Sequence, residues 1–117
     1  MEFPAIITEL PQADLPLAGA TGWVIQGPTR QAVFFRLEPG TEVPPHSHGA
    51  QWGIVLDGEV ELTIGGETRV YRRGDTYEIG AGQVHSARCP GGALLLDVFA
   101  DPDRYRVRQE EGGGEIP

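Results

Sequence analysis

The chain lacks the positive charge that several common classes of protein need. Its 117 residues include no lysine and nine arginines against seventeen acidic residues, so the formal net charge is −8. Nucleic-acid binding depends on lysine and arginine displacing counterions from phosphates, and docking on anionic lipid needs the same charge. The sequence therefore disfavours a nucleic-acid partner and a membrane-surface partner.

Cysteine and long apolar runs are also scarce. Cys89 is the single cysteine, which excludes an internal disulfide and removes one reason to expect a secreted protein. The first residues contain neither the basic region nor the apolar core of a signal peptide, and no apolar stretch is long enough for a membrane-spanning helix. These absences predict a cytoplasmic protein, and 117 residues is a typical length for one domain.

The sequence also lacks the pattern of an amphipathic helix. No segment has apolar residues at a period of 3.6 between capping residues. Instead, 17 glycines and 10 prolines separate short apolar runs. The runs begin at Trp23, Ala32, Trp52, Val60, Thr68, Thr76 and Ala93. Many short strands with turn residues between them are typical of a sandwich or barrel, so we expect an all-β fold with almost no helix.

Composition also suggests boundaries within the chain. Residues 1–22 predict a partly irregular N-terminal arm with one strand near Phe3–Ile7, and residues 23–108 predict the β-barrel. Residues 109–117 contain almost nothing to bury and are predicted to be a disordered tail. Within the barrel, Leu56-Asp57-Gly58-Glu59 predicts a tight turn, and Gly65-Gly66 predicts a two-residue hairpin loop.

Three histidines stand out against this background, and they are the only ones in the chain. His46 and His48 are two residues apart, so in a strand their side chains would project to the same face. His85 follows 37 residues later, after a glycine-rich loop. Imidazole is the commonest metal ligand in proteins, and the pattern predicts that the three rings share a metal site.

The spacing around these histidines resembles the paired motifs of the cupin superfamily. The first is Gly40-x5-His46-x-His48, followed by Gln51-x6-Gly58; the second is Gly74-x5-Gly80-x-Gly82-x2-His85. The two motifs occur in the family's order, and the spacings of their glycines and histidines agree with it. The resemblance implies a single-domain jelly-roll β-barrel in which His46, His48 and His85 bind a divalent transition metal.

The motifs also differ from the family pattern in ways that bear on the site. Gln51 stands where the family has a glutamate, and it follows His48 one residue early. Gly80 replaces a proline, and Cys89 replaces an asparagine. We predict Gln51 as the fourth ligand through its amide oxygen if Gly49-Ala50 resets the strand register; the alternative is that it is a hydrogen-bond partner behind the ligands.

A ligand set of three imidazoles and an amide carries no charge. The metal would then keep its full positive charge, which favours an anionic ligand. Iron, manganese, nickel, copper and zinc all suit these donors, so the residues do not select a metal. Cys89, which lies four residues after His85, is expected inside the fold rather than on the metal.

Other residues attract attention for their surroundings. Asp97 is the one acid within an apolar run, and we expect it at a strand end or on the surface. Arg104, Arg106 and Arg108 alternate, and we expect them to form a solvated edge. By strand parity Trp52 faces outward, which favours cover by the N-terminal arm or by a second subunit, and hence a homodimer.

Function is narrowed by the resemblance, though not to one reaction. It implies a metal-dependent enzyme of the dioxygenase, isomerase or lyase type that acts on a small oxygen-rich molecule in the barrel. A dioxygenase fits best with a sequence in which no acid or base is clearly placed beside the ligands. The alternatives are a non-catalytic barrel that binds a small molecule or a metal, and a metal-free structural barrel.

Overall fold

A computed structural model describes residues 1–108. It contains one short helix, α1, and eight strands, which confirms the all-β prediction. The elements are α1 (Ala5–Thr8), β1 (Ala20–Gln26), β2 (Gln31–Leu37), β3 (Thr41–His46), β4 (Gln51–Ile64), β5 (Glu67–Arg72), β6 (Thr76–Ile79), β7 (His85–Cys89) and β8 (Ala93–Phe99).

The strands form a curled antiparallel sheet in the order β1-β2-β8-β4-β7-β3, with β5 and β6 paired to β4. This is the expected single-domain jelly-roll β-barrel. The alternation in β2 shows how sequence builds it: Val33, Phe35 and Leu37 are buried, and Phe34 and Arg36 between them are partly exposed. One face of β2 thus fills the barrel while the other faces outward.

The long strand β4 corrects one prediction. The expected turn at Leu56–Glu59 does not form, and β4 continues through it with a bulge between Val55 and Asp57. Its first half pairs with β6 and β8, and its second half pairs with β5 and β7. Gly58 has φ +75°, and a Cβ there would overlap the Gly92 carbonyl oxygen, so the bend requires glycine.

Three other local predictions have clear outcomes. Gly65 and Gly66 have φ +57° and +85° and join β4 to β5, which confirms the hairpin loop. The strand expected near Phe3–Ile7 is wrong, because Ala5–Thr8 form a single helical turn. The tail predicted over 109–117 lies outside the described residues.

The N-terminal arm packs against the barrel and against the segment that follows β8. The ring of Phe3 makes edge contacts with Trp23 and Phe34 on the outer face of the sheet. Ala13 forms a bridge with Val107. The arm therefore covers part of one sheet face and also holds the chain after β8 near one end of the barrel. The assignment of residues 1–22 and 23–108 as arm and barrel stays a prediction.

No helix among residues 1–108 is long and apolar enough to cross a membrane.

Candidate metal centre

The three histidines converge at one end of the barrel. His46 ends β3 and His85 begins β7, and the two are register partners in the ladder between these strands. Their ring centroids lie 4.1 Å apart, and those of His48 lie 5.2 Å from His46 and 4.7 Å from His85. One nitrogen from each ring falls within 4.8 Å of the other two. The set is compact enough to offer three donors to one ion.

His48 reaches the cluster by a route that strand parity did not predict. Strand β3 stops at His46, and His48 lies in the irregular connection that leads to β4. Its ring still turns toward the cluster and makes an edge contact with Phe99, 5.5 Å between centroids.

Backbone carbonyls determine which nitrogen each ring presents. Nδ1 of His46 lies 2.9 Å from the Pro44 oxygen, and Nδ1 of His85 lies 2.9 Å from the Gln83 oxygen. Nδ1 of His48 lies 2.8 Å from the Gly49 oxygen. Because a carbonyl only accepts, each Nδ1 carries a proton, and in the neutral ring Nε2 then keeps its lone pair. All three rings are thus in the tautomer that a metal needs at Nε2.

Electrostatics favour the neutral, metal-binding form of two of these rings. Burial lowers the pKa of His48, with a smaller contribution from the Arg104 charge. Burial also lowers the pKa of His85, assisted by His46 and Arg104. Neutral imidazole is the form that ligates metals, so protons compete less for these two nitrogens at neutral pH.

Gln51 begins β4 and lines the same cavity as the three histidines. Its Nε2 donates a hydrogen bond of 2.8 Å to Oδ1 of Asp97. Its Oε1 is buried and has no hydrogen-bond partner within the described chain. A buried acceptor without a partner is costly, so this oxygen is the atom of Gln51 that suits a bound ion or molecule.

Asp97 is the site residue that sequence reasoning misplaced. Rather than lying on the surface, it is 2 % exposed and lines the cavity. Its Oδ1 accepts hydrogen bonds from Gln51 and from the hydroxyl of Tyr77, the latter at 2.7 Å. Burial raises the pKa of Asp97 to about 6, and the two hydrogen bonds partly oppose that rise. The carboxyl group is therefore a buried acid that can gain or lose a proton near neutral pH.

Arg104 also departs from its predicted place. Arg106 and Arg108 are exposed as expected, although Arg106 also borders the cavity, whereas Arg104 is partly buried and lines it. Its guanidinium carbon lies 4.3 Å from the centroid of the Tyr105 ring. Nε of Arg104 is buried without a hydrogen-bond partner in the described part of the chain. This places an unpaired donor and a positive charge in the cavity with the histidines.

The cavity has a volume of about 420 Å³, within the range of small-molecule sites. Aliphatic and aromatic side chains make up most of its lining, and the polar groups described above are also among the lining residues. Cys89 is buried in the core, and burial raises the pKa of its thiol to about 11, so it is an unreactive core residue as expected.

The barrel and its three inward histidines define a class of small β-barrel protein, and comparison with known proteins names the class. The family model described as "Cupin domain" matches residues 33–99. The chain belongs to the cupin family. No curated protein matches the chain.

Solved structures agree on the fold. An RmlC-like cupin from Shewanella frigidimarina superposes with a TM-score of 0.73 at 26% identity, covering 82% of this chain and 87% of its own. KdgF from a Halomonas species gives 0.70 at 23% identity, covering 90% and 92%. A mutant of Bacillus subtilis oxalate decarboxylase gives 0.70 at 23% identity, covering 88% of this chain and 30% of its own. The likeness to the latter two is one of fold.

Proposed function

We propose that this cupin is a metal-dependent enzyme that acts on a small, oxygen-rich anion, with His46, His48 and His85 as metal ligands through Nε2. The observation that carries the proposal is the set of three Nδ1–carbonyl contacts, which leave three Nε2 lone pairs at one end of the cavity. Histidines that bind a metal through one ring nitrogen usually donate the other ring N–H to a carbonyl or a carboxylate. Iron, manganese, nickel, copper or zinc would suit the donors.

The metal would supply a Lewis acid that polarises an oxygen of the bound molecule. Gln51 keeps the two roles that its sequence position left open. As the fourth ligand it would offer Oε1 to the metal; in the alternative it is a hydrogen-bond partner behind the ligands. In both roles the hydrogen bond from Nε2 to Asp97 fixes which end of the amide faces inward.

Arg104 supports an anionic substrate. Its unpaired Nε and its charge lie in the same cavity as the neutral ligand set. A carboxylate can accept two parallel hydrogen bonds from a guanidinium, which both binds it and orients it. Stacking on Tyr105 limits the orientations of that guanidinium. A small hydroxy or keto carboxylate would satisfy Arg104 with one end and the metal with the other.

Asp97 favours a proton-transfer reaction of the isomerase or lyase type. Its carboxyl lines the cavity, where it could take a proton from a carbon or deliver one through Oδ2 while Tyr77 and Gln51 hold Oδ1. Such a positioned acid or base typically accelerates a reaction by about 10²–10⁴-fold. A dioxygenase, which the sequence favoured because no acid was placed, is the second candidate, and a non-catalytic binding barrel is the third.

Metal analysis of the purified chain tests the ligand set. The protein should retain close to one equivalent of a divalent transition metal, and His46→Ala or His85→Ala should lose most of it. Val84→Ala is the matched control, because Val84 adjoins His85 and is 57 % exposed. Unchanged metal content in the histidine variants would overturn the site.

Activity assays would separate the three candidate functions, with hydroxy and keto carboxylates as substrates and each metal reconstituted in turn. Proton exchange would indicate an isomerase or lyase, oxygen uptake would indicate a dioxygenase, and neither would indicate a binding barrel.

We also propose that the outer face of the sheet forms a homodimer. Register pairing aligns Ile25, Ala32, Val98 and Trp52 in one apolar row across β1, β2, β8 and β4. Ile25 is 50 % exposed and Trp52 is 38 % exposed. These four side chains carry no charge, and the row ends at Glu78 of β6, which pairs with Trp52. A second copy that packs on the four side chains would cover exposed apolar surface.

A further inference from the structure

His48 is the one member of the histidine cluster that no strand holds. His46 and His85 are fixed as partners in the ladder between β3 and β7. His48 lies two residues beyond the end of β3, in the connection over residues 47–50. A side chain on an irregular segment needs other contacts to keep its donor atom in place. The position of His48 must therefore depend on what holds this connection.

Hydrogen bonds to the region following β8 supply most of that support. The Gly49 amide donates to Oδ2 of Asp101 at 2.9 Å. One residue on, the Ala100 amide donates to the Ala50 carbonyl at 2.8 Å. A third bond, from the Gly82 amide to the His48 carbonyl at 2.8 Å, comes from the loop before β7. Asp101 provides the only side chain among these three contacts.

Gly49 links Asp101 to the imidazole directly. Its N–H is bound by Asp101, and its carbonyl accepts the bond from Nδ1 of His48. The contact is also close packed, because a Cβ on Gly49 would overlap the Asp101 carboxylate. Gly49 does not have a positive φ, so its backbone conformation does not require glycine. Glycine is needed here because a side chain would collide with Asp101. The carboxylate thus holds the residue that orients the His48 ring.

We propose that Asp101 is a positioning residue for the metal centre: its carboxylate anchors Gly49 so that Nε2 of His48 meets the other two histidines. This inference rests on the proposed metal site. A charged acceptor makes a stronger hydrogen bond to a backbone N–H than a neutral one does, which suits a contact that must fix a loop. Partners behind the ligands typically change metal affinity by about tenfold to a hundredfold.

Titration of the metal-free full chain with Co²⁺ tests the proposal, because the visible spectrum of this ion reports its coordination. Asp101→Ala should weaken Co²⁺ binding by about tenfold or more and change the spectrum. Asp101→Asn should restore most of the affinity, since its amide oxygen can accept the Gly49 bond. Asp103→Ala is the matched control at an exposed acid two residues away and should behave like the parent.

Gly49→Ala provides a second route should Asp101→Ala fail to fold. Its methyl group should push the carboxylate away and lower Co²⁺ affinity to a similar extent. The double variant Gly49→Ala/Asp101→Ala should be little worse than either single variant, because both remove the same contact. Thermal unfolding of the metal-free variants would identify a general loss of structure.

Two failures are distinguishable. If the parent binds no Co²⁺, the proposed metal site and the proposed role of Asp101 are both overturned. If the parent binds Co²⁺ and Asp101→Ala and Gly49→Ala keep its affinity and spectrum, only the role of Asp101 is overturned.

Discussion

Tyr77 donates its phenolic hydroxyl to Oδ1 of Asp97 at 2.7 Å, and both side chains are buried. The same oxygen accepts the amide of Gln51. Burial raises the pKa of Tyr77 well above its ordinary value, with a further contribution from the Asp97 charge. Tyr77 therefore stays protonated and donates its hydrogen bond whether Asp97 is neutral or charged. In both states of Asp97 the phenol holds the carboxyl group in place.

Asp97 should make the stability of the metal-free protein depend on pH. Its pKa rises from 3.8 in the unfolded chain to about 6 in the fold, so between these values the folded protein binds more protons than the unfolded chain. Its contribution to stability is present below the unfolded pKa and is lost as pH rises through about 6. A shift of this size corresponds to roughly 3 kcal/mol.

The variant Asp97→Asn removes this titration while keeping an acceptor oxygen for Tyr77 and Gln51. The free energy of unfolding of the parent should fall relative to that of Asp97→Asn as the pH is raised from 4 to 7. We expect the difference between the two chains to change in favour of the variant by up to about 3 kcal/mol over this range. Urea unfolding of both chains after chelation, at a series of pH values, measures the difference. A difference that stays flat across this range would contradict the prediction.

Gly53 should tolerate no side chain. It lies in β4 opposite Asp97 and Tyr77, and a Cβ there would overlap the Asp97 carboxylate and the Tyr77 ring. We expect Gly53→Ala to destabilise the protein by about 1–3 kcal/mol, as overpacking of a filled interior does. Gly91→Ala is the control, because an added Cβ would meet nothing within 4 Å. Equal melting temperatures for the two variants would contradict the prediction that the space beside Gly53 is already filled.

Arg104 should determine the affinity for small carboxylates. With the metal-loaded protein and glycolate as the probe, Arg104→Gln should weaken binding by about tenfold or more, the usual cost of a hydrogen bond to a charged group. Arg73→Gln removes the same charge from an exposed position and should leave affinity unchanged. Calorimetric titration gives both values, and equal losses in the two variants would indicate only a general effect of charge.

Trp52 should hold the proposed dimer together. Placing a charge in the apolar row through Trp52→Glu should yield a monomer, because burying an unpaired carboxylate at an interface is costly. Val70→Glu places the same charge on β5, where the parent side chain is 41 % exposed, and should leave the dimer intact. Light scattering during size-exclusion chromatography measures the mass. A parent that elutes as a monomer would rule the dimer out.

Local patterns account for the parts of the site that lie on regular strands. His46 and His85 were predicted from spacing, and they meet because strand pairing turns a fixed register into a fixed distance. Alternation along β8 places Asp97 on the same face as Leu95 and Phe99, and all three side chains are buried. Burial of Asp97 was missed because an acid in an apolar run is ordinarily exposed, and its partner Tyr77 is distant in sequence.

By itself, the sequence determined the class of fold, the hairpin at Gly65-Gly66 and the trio of histidines, because alternation, turn residues and short spacings are local properties of the chain. Only the tertiary structure decided that β4 continues as one bent strand through Gly58, that Asp97 and Arg104 face the cavity, and that Asp101 holds the connection of His48. These depend on contacts between residues far apart in the chain, which no local pattern encodes.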